Sequence, residues 1–196
     1  MAVFGLDIGQ AADYAALTVV VPEGARPVGH RPKLAVVHVE RIPLGVAYAD
    51  MAGHVVEAAR QYVAAGHPAV ICADRTGIGR AVVEQLQQAS AEDQIAVLGL
   101  TWTGGKNVTG EWPLINVPRQ HIVNALAVAL EQRALRILPG LQDRDALARE
   151  LTQHQHGDHL GDLAASLAMA VWTADHLAAT ARWLTHNHPD PPESRT

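Results

Sequence analysis

Cysteine occurs once in the 196 residues, at Cys72 inside the apolar run Ala69 to Ala73. A single thiol excludes a disulfide framework and any CxxC metal pair, and one so placed behaves as a small buried hydrophobe. A reducing compartment is the expectation. Lysine is nearly as scarce, Lys33 and Lys106 being the two present, so arginine carries the positive charge; with the abundance of alanine, this reads as GC-rich coding rather than function. No stretch approaches the ~18 consecutive apolar residues of a membrane span, and no basic segment of a signal peptide opens the chain. A soluble, cytoplasmic protein without membrane partners is expected. A Walker motif is missing as well. Gly104-Gly105-Lys106 comes nearest, but Asn107 stands where Ser or Thr must reach Mg²⁺ and Leu100 where the first glycine belongs, so an ATP-binding role is rejected. Internal repeats are absent.

What remains is an ordinary globular composition, 48% hydrophobic and 18% charged, in a length that fits one domain with a substantial core. The formal net charge of -5 argues against broad coating of nucleic acid. It leaves room for a nuclease whose acidic residues concentrate at a metal site.

The chain opens with an aliphatic strand, Val3 to Ile8, that carries one carboxylate, Asp7, near its end. A tight polar turn and a second apolar run, Ala15 to Val21, make a hairpin at the centre of a mixed sheet. A buried strand has no structural use for Asp7 unless it takes hydrogen bonds from the following turn or meets a cation. Leu34 to Ile42 is a third antiparallel strand. Tyr48 to Ala65 has helical spacing and closes at Gly66, and Ala69 to Ala73 is a buried strand ending in a second carboxylate, Asp74. A helix from Ala81 to Gln88 and a strand from Ile95 to Trp102 complete a parallel crossover. Thr103 to Val117 reads as a long loop or small extra hairpin. Pro118 opens a helix through Leu130, Leu135 to Leu138 is a short edge strand or connection, and Asp143 to Thr152 is an amphipathic helix. A His-rich linker, His154 to Gly161, precedes an apolar helix entered through Asp162 and running to about Ala181. Residues 1–184 form one domain; the polar, proline-rich tail 185–196 is expected to be disordered.

Asp7, Asp74 and Asp162, with Asp158 one turn earlier, stand at the ends of elements that this pattern sets side by side. If they converge, their repulsion calls for a divalent cation, and oxygen ligands without cysteine point to Mg²⁺ or Mn²⁺. Such a cluster can hold two ions suited to phosphodiester hydrolysis.

This order of elements resembles that of the ribonuclease-H-like nucleases, and within them the C-terminal nuclease domain of phage large terminase subunits. The matching residues are Gly5 to Gly9 with Asp13 to Leu17, Ala73 to Gly79, Thr103 to Thr109, Trp112 to Arg119, Leu135 to Gly140, Arg149-Glu150-Leu151, and His159 to Trp172. The resemblance implies an α/β fold with a mixed central sheet, and Asp7, Asp74 and Asp162 as catalytic metal ligands for two Mg²⁺ or Mn²⁺ ions. It implies cleavage of double-stranded DNA during bacteriophage genome packaging in the bacterial host. Its partners would be a terminase ATPase domain or subunit, a small terminase subunit and a portal. The family runs from His-Asp-Asp-Leu straight into the helix; here Asp158-His159-Leu160-Gly161-Asp162 leaves Asp158 as an extra candidate ligand.

Arg75, Arg80, Lys106 and Arg119 are candidate contacts to the DNA backbone, with a plain surface role as the alternative for each. Asp162 could equally cap its helix, and the turn Thr76 to Gly79 could hold phosphate or simply join strand to helix. His154, His156, His159, His186 and His188 read as surface residues. Three rivals stand beside the terminase reading: a Holliday-junction resolvase of the same fold, an actin-like ATPase, which needs two such halves, and a non-catalytic module that kept the fold.

Overall fold

The structure, a computed structural model, describes residues 1–9, 13–24, 31–153 and 160–176. Asp158, most of the histidine-rich linker and the tail 185–196 lie outside them, as do residues 177–181, to which the last helix was expected to run. Eight strands form one sheet in the order β6-β7-β5-β4-β1-β2-β3-β8. The first strand, β1 (Ala2–Asp7), is central, with β2 (Ala15–Glu23) antiparallel on one side and β4 (Ala69–Asp74) parallel on the other. β3 (Lys33–Ile42) pairs antiparallel with β2, and the short β8 (Leu135–Ile137) closes that edge parallel to β3. On the far side β5 (Ile95–Thr103) lies parallel to β4. The segment expected as a loop or hairpin is a hairpin, β6 (Thr109–Glu111) and β7 (Leu114–Pro118), whose second strand joins β5 in parallel. Pro118 ends β7 opposite Thr103 and precedes the helix, rather than serving as its first residue.

Period-two alternation divides the sheet into two packed faces. Phe4, Leu6, Leu17, Val19, Ile71, Ala73 and Val97 face a layer formed by α1 (Tyr48–Ala64) and α2 (Gly79–Ala89). Val3, Val20, Val36, Cys72, Leu100 and Val117 face α3 (Arg119–Glu131), α4 (Arg144–Gln153) and α5 (Asp162–Asp175). Helix α5 is apolar all round because it is enclosed: its residues from Leu163 to Ala174 are all buried. No helix among the described residues is long and apolar enough to cross a membrane.

Helix α5 lies almost in contact with the backbone of β1. A Cβ placed on Gly5 would stand 1.9 Å from the carbonyl oxygen of Ser166, so the helix can approach the central strand this closely only over glycine. The Ser166 hydroxyl donates to the Leu163 carbonyl at 2.9 Å and lies 3.3 Å from the Thr18 hydroxyl of β2, leaving no stray polar atom at the contact. Gly5→Ala is therefore expected to destabilise the fold by about 3 kcal/mol in guanidinium denaturation, since backbone must yield to backbone. Gly53→Ala in α1, where an added Cβ meets nothing within 4 Å, should instead raise stability by roughly 0.5–1 kcal/mol.

Candidate active site

The parallel strands β1, β4, β5 and β7 all end at one edge of the sheet, and β3, antiparallel to β2, ends there too. In an open α/β sheet this carboxyl edge is where loops and helix termini leave room for a ligand. Leu6 pairs with Ala73, so Asp7 and Asp74 leave the ladder side by side, on strands whose backbones run roughly 5 Å apart. Alternation gives both the parity of Val3, Gly5 and Cys72, which is the face covered by α5. Asp162 is the first residue of that helix. Three of the residues singled out from the sequence are thus brought to one corner.

The electrostatics agree. The Asp7 carboxyl is pushed up to about 7 by burial, then by the negative charges of Asp74, Asp162 and Glu150, against a small opposing pull from the Ile8 backbone N–H. Asp74 is also raised, chiefly by burial, although its Oδ1 accepts the Thr76 N–H at 2.8 Å. That Asx-type turn, considered for Asp7, is found at Asp74. Asp162 is raised by burial and by Glu150 and Asp13, while Arg41 pulls it down. A cleft of about 230 Å³ lined by Gly9, Asp13, Ile42, Leu44 and Tyr48, among others, opens on the Asp13 side.

Two members of this corner, Glu150 and Arg41, were given no site role from the sequence, although Glu150 stands in the matching segment Arg149-Glu150-Leu151. Glu150 follows Ala146 and Leu147, the buried residues of α4, by four and three positions, so a carboxylate lies in line with the helix's apolar stripe. That was the available signal. Arg41 had none. In β2 the even residues Ala16, Thr18 and Val20 face α5, and in β3 Leu34 and Val36 do so as well. Between Val20↔Val36 and Val19↔His38 the register slips by one residue, a bulge that places Val37 on the α1 face. Beyond it the odd residues Val39 and Arg41 turn toward α5. Arg41 then gives its guanidinium to Glu150 Oε1 at 2.5 Å and its backbone N–H to Asp143 Oδ2 at 2.8 Å, and lies 5.7 Å from the centre of the Tyr14 ring.

The arginines and lysine expected along DNA are divided between the two faces. Arg119, at the start of α3, lies over the Trp102 ring at 5.5 Å, on the face that carries the carboxylates. Arg75 runs over Gly99 beside Val83 of α2 and reaches Thr101 Oγ1 at 3.3 Å, on the opposite face. Arg80 and Lys106 are exposed, on α2 and on the β5–β6 connection.

The donor set of this corner, carboxylates without thiol or imidazole, fits a hard divalent cation in its chemistry. Among the described residues, no three His, Cys, Asp or Glu side chains are already gathered closely enough to hold an ion. Glu150 has its carboxylate turned onto Arg41 and onto the backbone of α5.

No family model matches the chain, and no curated protein matches it in sequence. Solved structures do. A mutant nuclease domain of the large terminase subunit of bacterial virus Sf6, with manganese and beta-thujaplicinol, superposes with a TM-score of 0.61 at 14% identity, covering 87% of each chain. The same domain with calcium gives 0.58 at 15% identity and the same coverage. The Mn-soaked terminase nuclease domain of human cytomegalovirus gives 0.58 at 14% identity, covering 91% of this chain and 85% of that one. This chain therefore has the ribonuclease-H-like fold, the fold shared by terminase nuclease domains.

With a folded-state value of about 7 against 3.8, Asp7 keeps its proton in the native protein after the unfolded chain has lost its own. Its contribution to stability is complete below pH 4, falls as pH rises and is gone above about 7. In chelator, the wild type should lose on the order of 2–4 kcal/mol between pH 4 and 8 through this group, and Asp7→Asn should flatten that slope. Urea midpoints measured across the range check it.

Proposed function

We propose that this chain is a metal-dependent endonuclease of double-stranded DNA, the cutting component of a viral genome-packaging terminase. The observation that supports the reading is that Asp7 and Asp74 end neighbouring strands and Asp162 begins the helix that covers them, with the Asp7 carboxyl raised to about 7 by burial and by the charges of Asp74, Asp162 and Glu150. The metals named with the Sf6 and cytomegalovirus domains support it from outside.

On this reading Asp7, Asp74 and Asp162 would hold two Mg²⁺ or Mn²⁺ ions, whose charge would offset the cost of placing carboxylates together. Asp158, outside the described residues, is a further candidate ligand. When bound, the ions lower the pKa of the attacking water and stabilise charge on the leaving oxygen. The chain supplies position. Deep placement of Asp7 at the centre of the sheet fixes where the scissile phosphate must come, and Arg119 over Trp102 offers a cation to the backbone two strands beyond Asp74. Arg75 and Arg80 on the α2 side, and Lys106 on the β5–β6 connection, are additional candidate DNA contacts. Translocation requires a separate ATPase, and the small terminase subunit and portal complete the assembly in the host cytoplasm.

Purified chain with Mn²⁺ is expected to nick and linearise plasmid, and Asp7→Ala, Asp74→Ala and Asp162→Ala each to slow this by roughly 100-fold or more. Cleavage indifferent to Asp7→Ala would contradict the reading, and preference for four-way junctions over linear duplex would replace it with a resolvase. Because the chain is acidic, its binding to duplex DNA should be weak and strongly salt-dependent. Arg119→Ala should weaken it uniformly across sequences and reduce the salt slope by about one, as measured by fluorescence anisotropy at several salt concentrations.

A further inference from the structure

We propose that Glu150 is a positioning residue that fixes Asp162 by holding the first turn of α5 from the neighbouring helix α4. The inference rests on the metal-site reading above and assigns a residue which that reading leaves without a role.

A helix begins with backbone N–H groups that lack partners inside the helix, and a side chain at the N-cap ordinarily takes one of them. The N-cap of α5 is Gly161, which has no side chain to offer. The Ala164 N–H is instead received by Glu150 Oε2 at 2.8 Å, so the cap is supplied by another helix. The other oxygen, Oε1, takes the Arg41 guanidinium at 2.5 Å. Both oxygens are thereby committed, and the side chain, 11% exposed, is clamped between β3 and α5.

Glycine at position 161 is a condition of this arrangement. A Cβ there would stand 2.4 Å from the Glu150 carboxyl carbon and 2.5 Å from Oε2. The bulge in β3 is a second condition, since it turns Arg41 to the α5 face. Asp162 sits two residues before the anchored N–H and feels both charges, Glu150 raising and Arg41 lowering its pKa. A negative charge at a helix N-terminus is also favourable in its own right. Glu150 therefore acts on a bound ion through Asp162, in the way that hydrogen-bonded neighbours orient metal ligands in general.

The test measures two quantities on the full chain: hydrogen exchange at the Ala164 amide and Mn²⁺ affinity by calorimetry. Three variants are compared, Glu150→Ala, Glu150→Gln and Gly161→Ala, the last keeping Glu150 while filling its space. Glu150→Ala and Gly161→Ala are expected to speed exchange at Ala164 and to weaken Mn²⁺ binding, each by roughly tenfold or more. Glu150→Gln, whose amide oxygen can still accept the Ala164 N–H while its amide nitrogen gives up the Arg41 contact, should keep exchange at Ala164 within about threefold of wild type and lose less Mn²⁺ affinity than Glu150→Ala. Unchanged exchange in Glu150→Ala would overturn the proposal. So would Glu150→Gln losing as much Mn²⁺ affinity as Glu150→Ala while Ala164 stays protected, because Glu150 would then be a ligand itself. Should wild type bind no Mn²⁺, the metal-site reading fails, and exchange at Ala164 still decides whether Glu150 holds the helix.

Discussion

The burial of carboxylates at one corner of the sheet is the constraint on which the rest of this structure depends. Asp7, Asp74 and Asp162 come from the central strand, its parallel neighbour and the buried helix, and free side chains of like charge would separate. They are kept together because the backbones that carry them cannot move apart. β1 and β4 are fixed by their ladder, and α5 is pressed onto β1 at Gly5, close enough that a methyl group would collide with the Ser166 carbonyl. The cost falls on the most enclosed of the three: Asp7 is pushed up to about 7, first by burial and then by the charges of Asp74, Asp162 and Glu150. A site of this kind is costly in the bare protein and favourable once charge is neutralised, which is the usual logic of an acidic metal centre.

The region around that corner is engineered from the opposite sign. Arg41 stands against the acids and is held by Glu150, by the hydrogen bond that its backbone N–H donates to Asp143 and by the Tyr14 ring. Its pairing with Glu150 is partly exposed on the arginine side, at 35%, so its value lies less in net attraction than in geometry. It limits how Glu150 can turn, and Glu150 in turn holds the start of α5. Helix, strand and bulge thus share one hydrogen-bonded seam beside the carboxylates.

Much of this could be read from the chain before any coordinates. Alternating and helical patterns located the strands and helices to within a residue or two, except the end of α5, expected near Ala181 and found at Asp175, and the order of Asp7, Asp74 and Asp162 pointed to convergence because each ends or begins an element. The Thr109 to Pro118 hairpin was legible only as an alternative to a loop, since three exposed residues, Thr109 to Glu111, carry no apolar pattern. Arg41 was hidden for a definite reason. Strict alternation from Leu34 assigns it to the α1 face, and one extra residue at Val37 reverses that; nothing in Val36-Val37-His38 announces a bulge. Glu150 was visible as a carboxylate in an apolar stripe, yet its partners lie 109 residues upstream and 14 downstream. Arg75 follows Asp74 in sequence, yet its side chain lies over Gly99 on the α2 face, which alternation along the strand does not announce for a residue in the turn.

The central claim is that separated acidic residues share a divalent ion at the carboxyl edge of the sheet. Anomalous diffraction from crystals of this chain soaked in Mn²⁺ tests it most directly. The account predicts a strong peak ligated by oxygens of Asp7, Asp74 and Asp162; no peak there, or Mn²⁺ held only elsewhere on the surface, would contradict it.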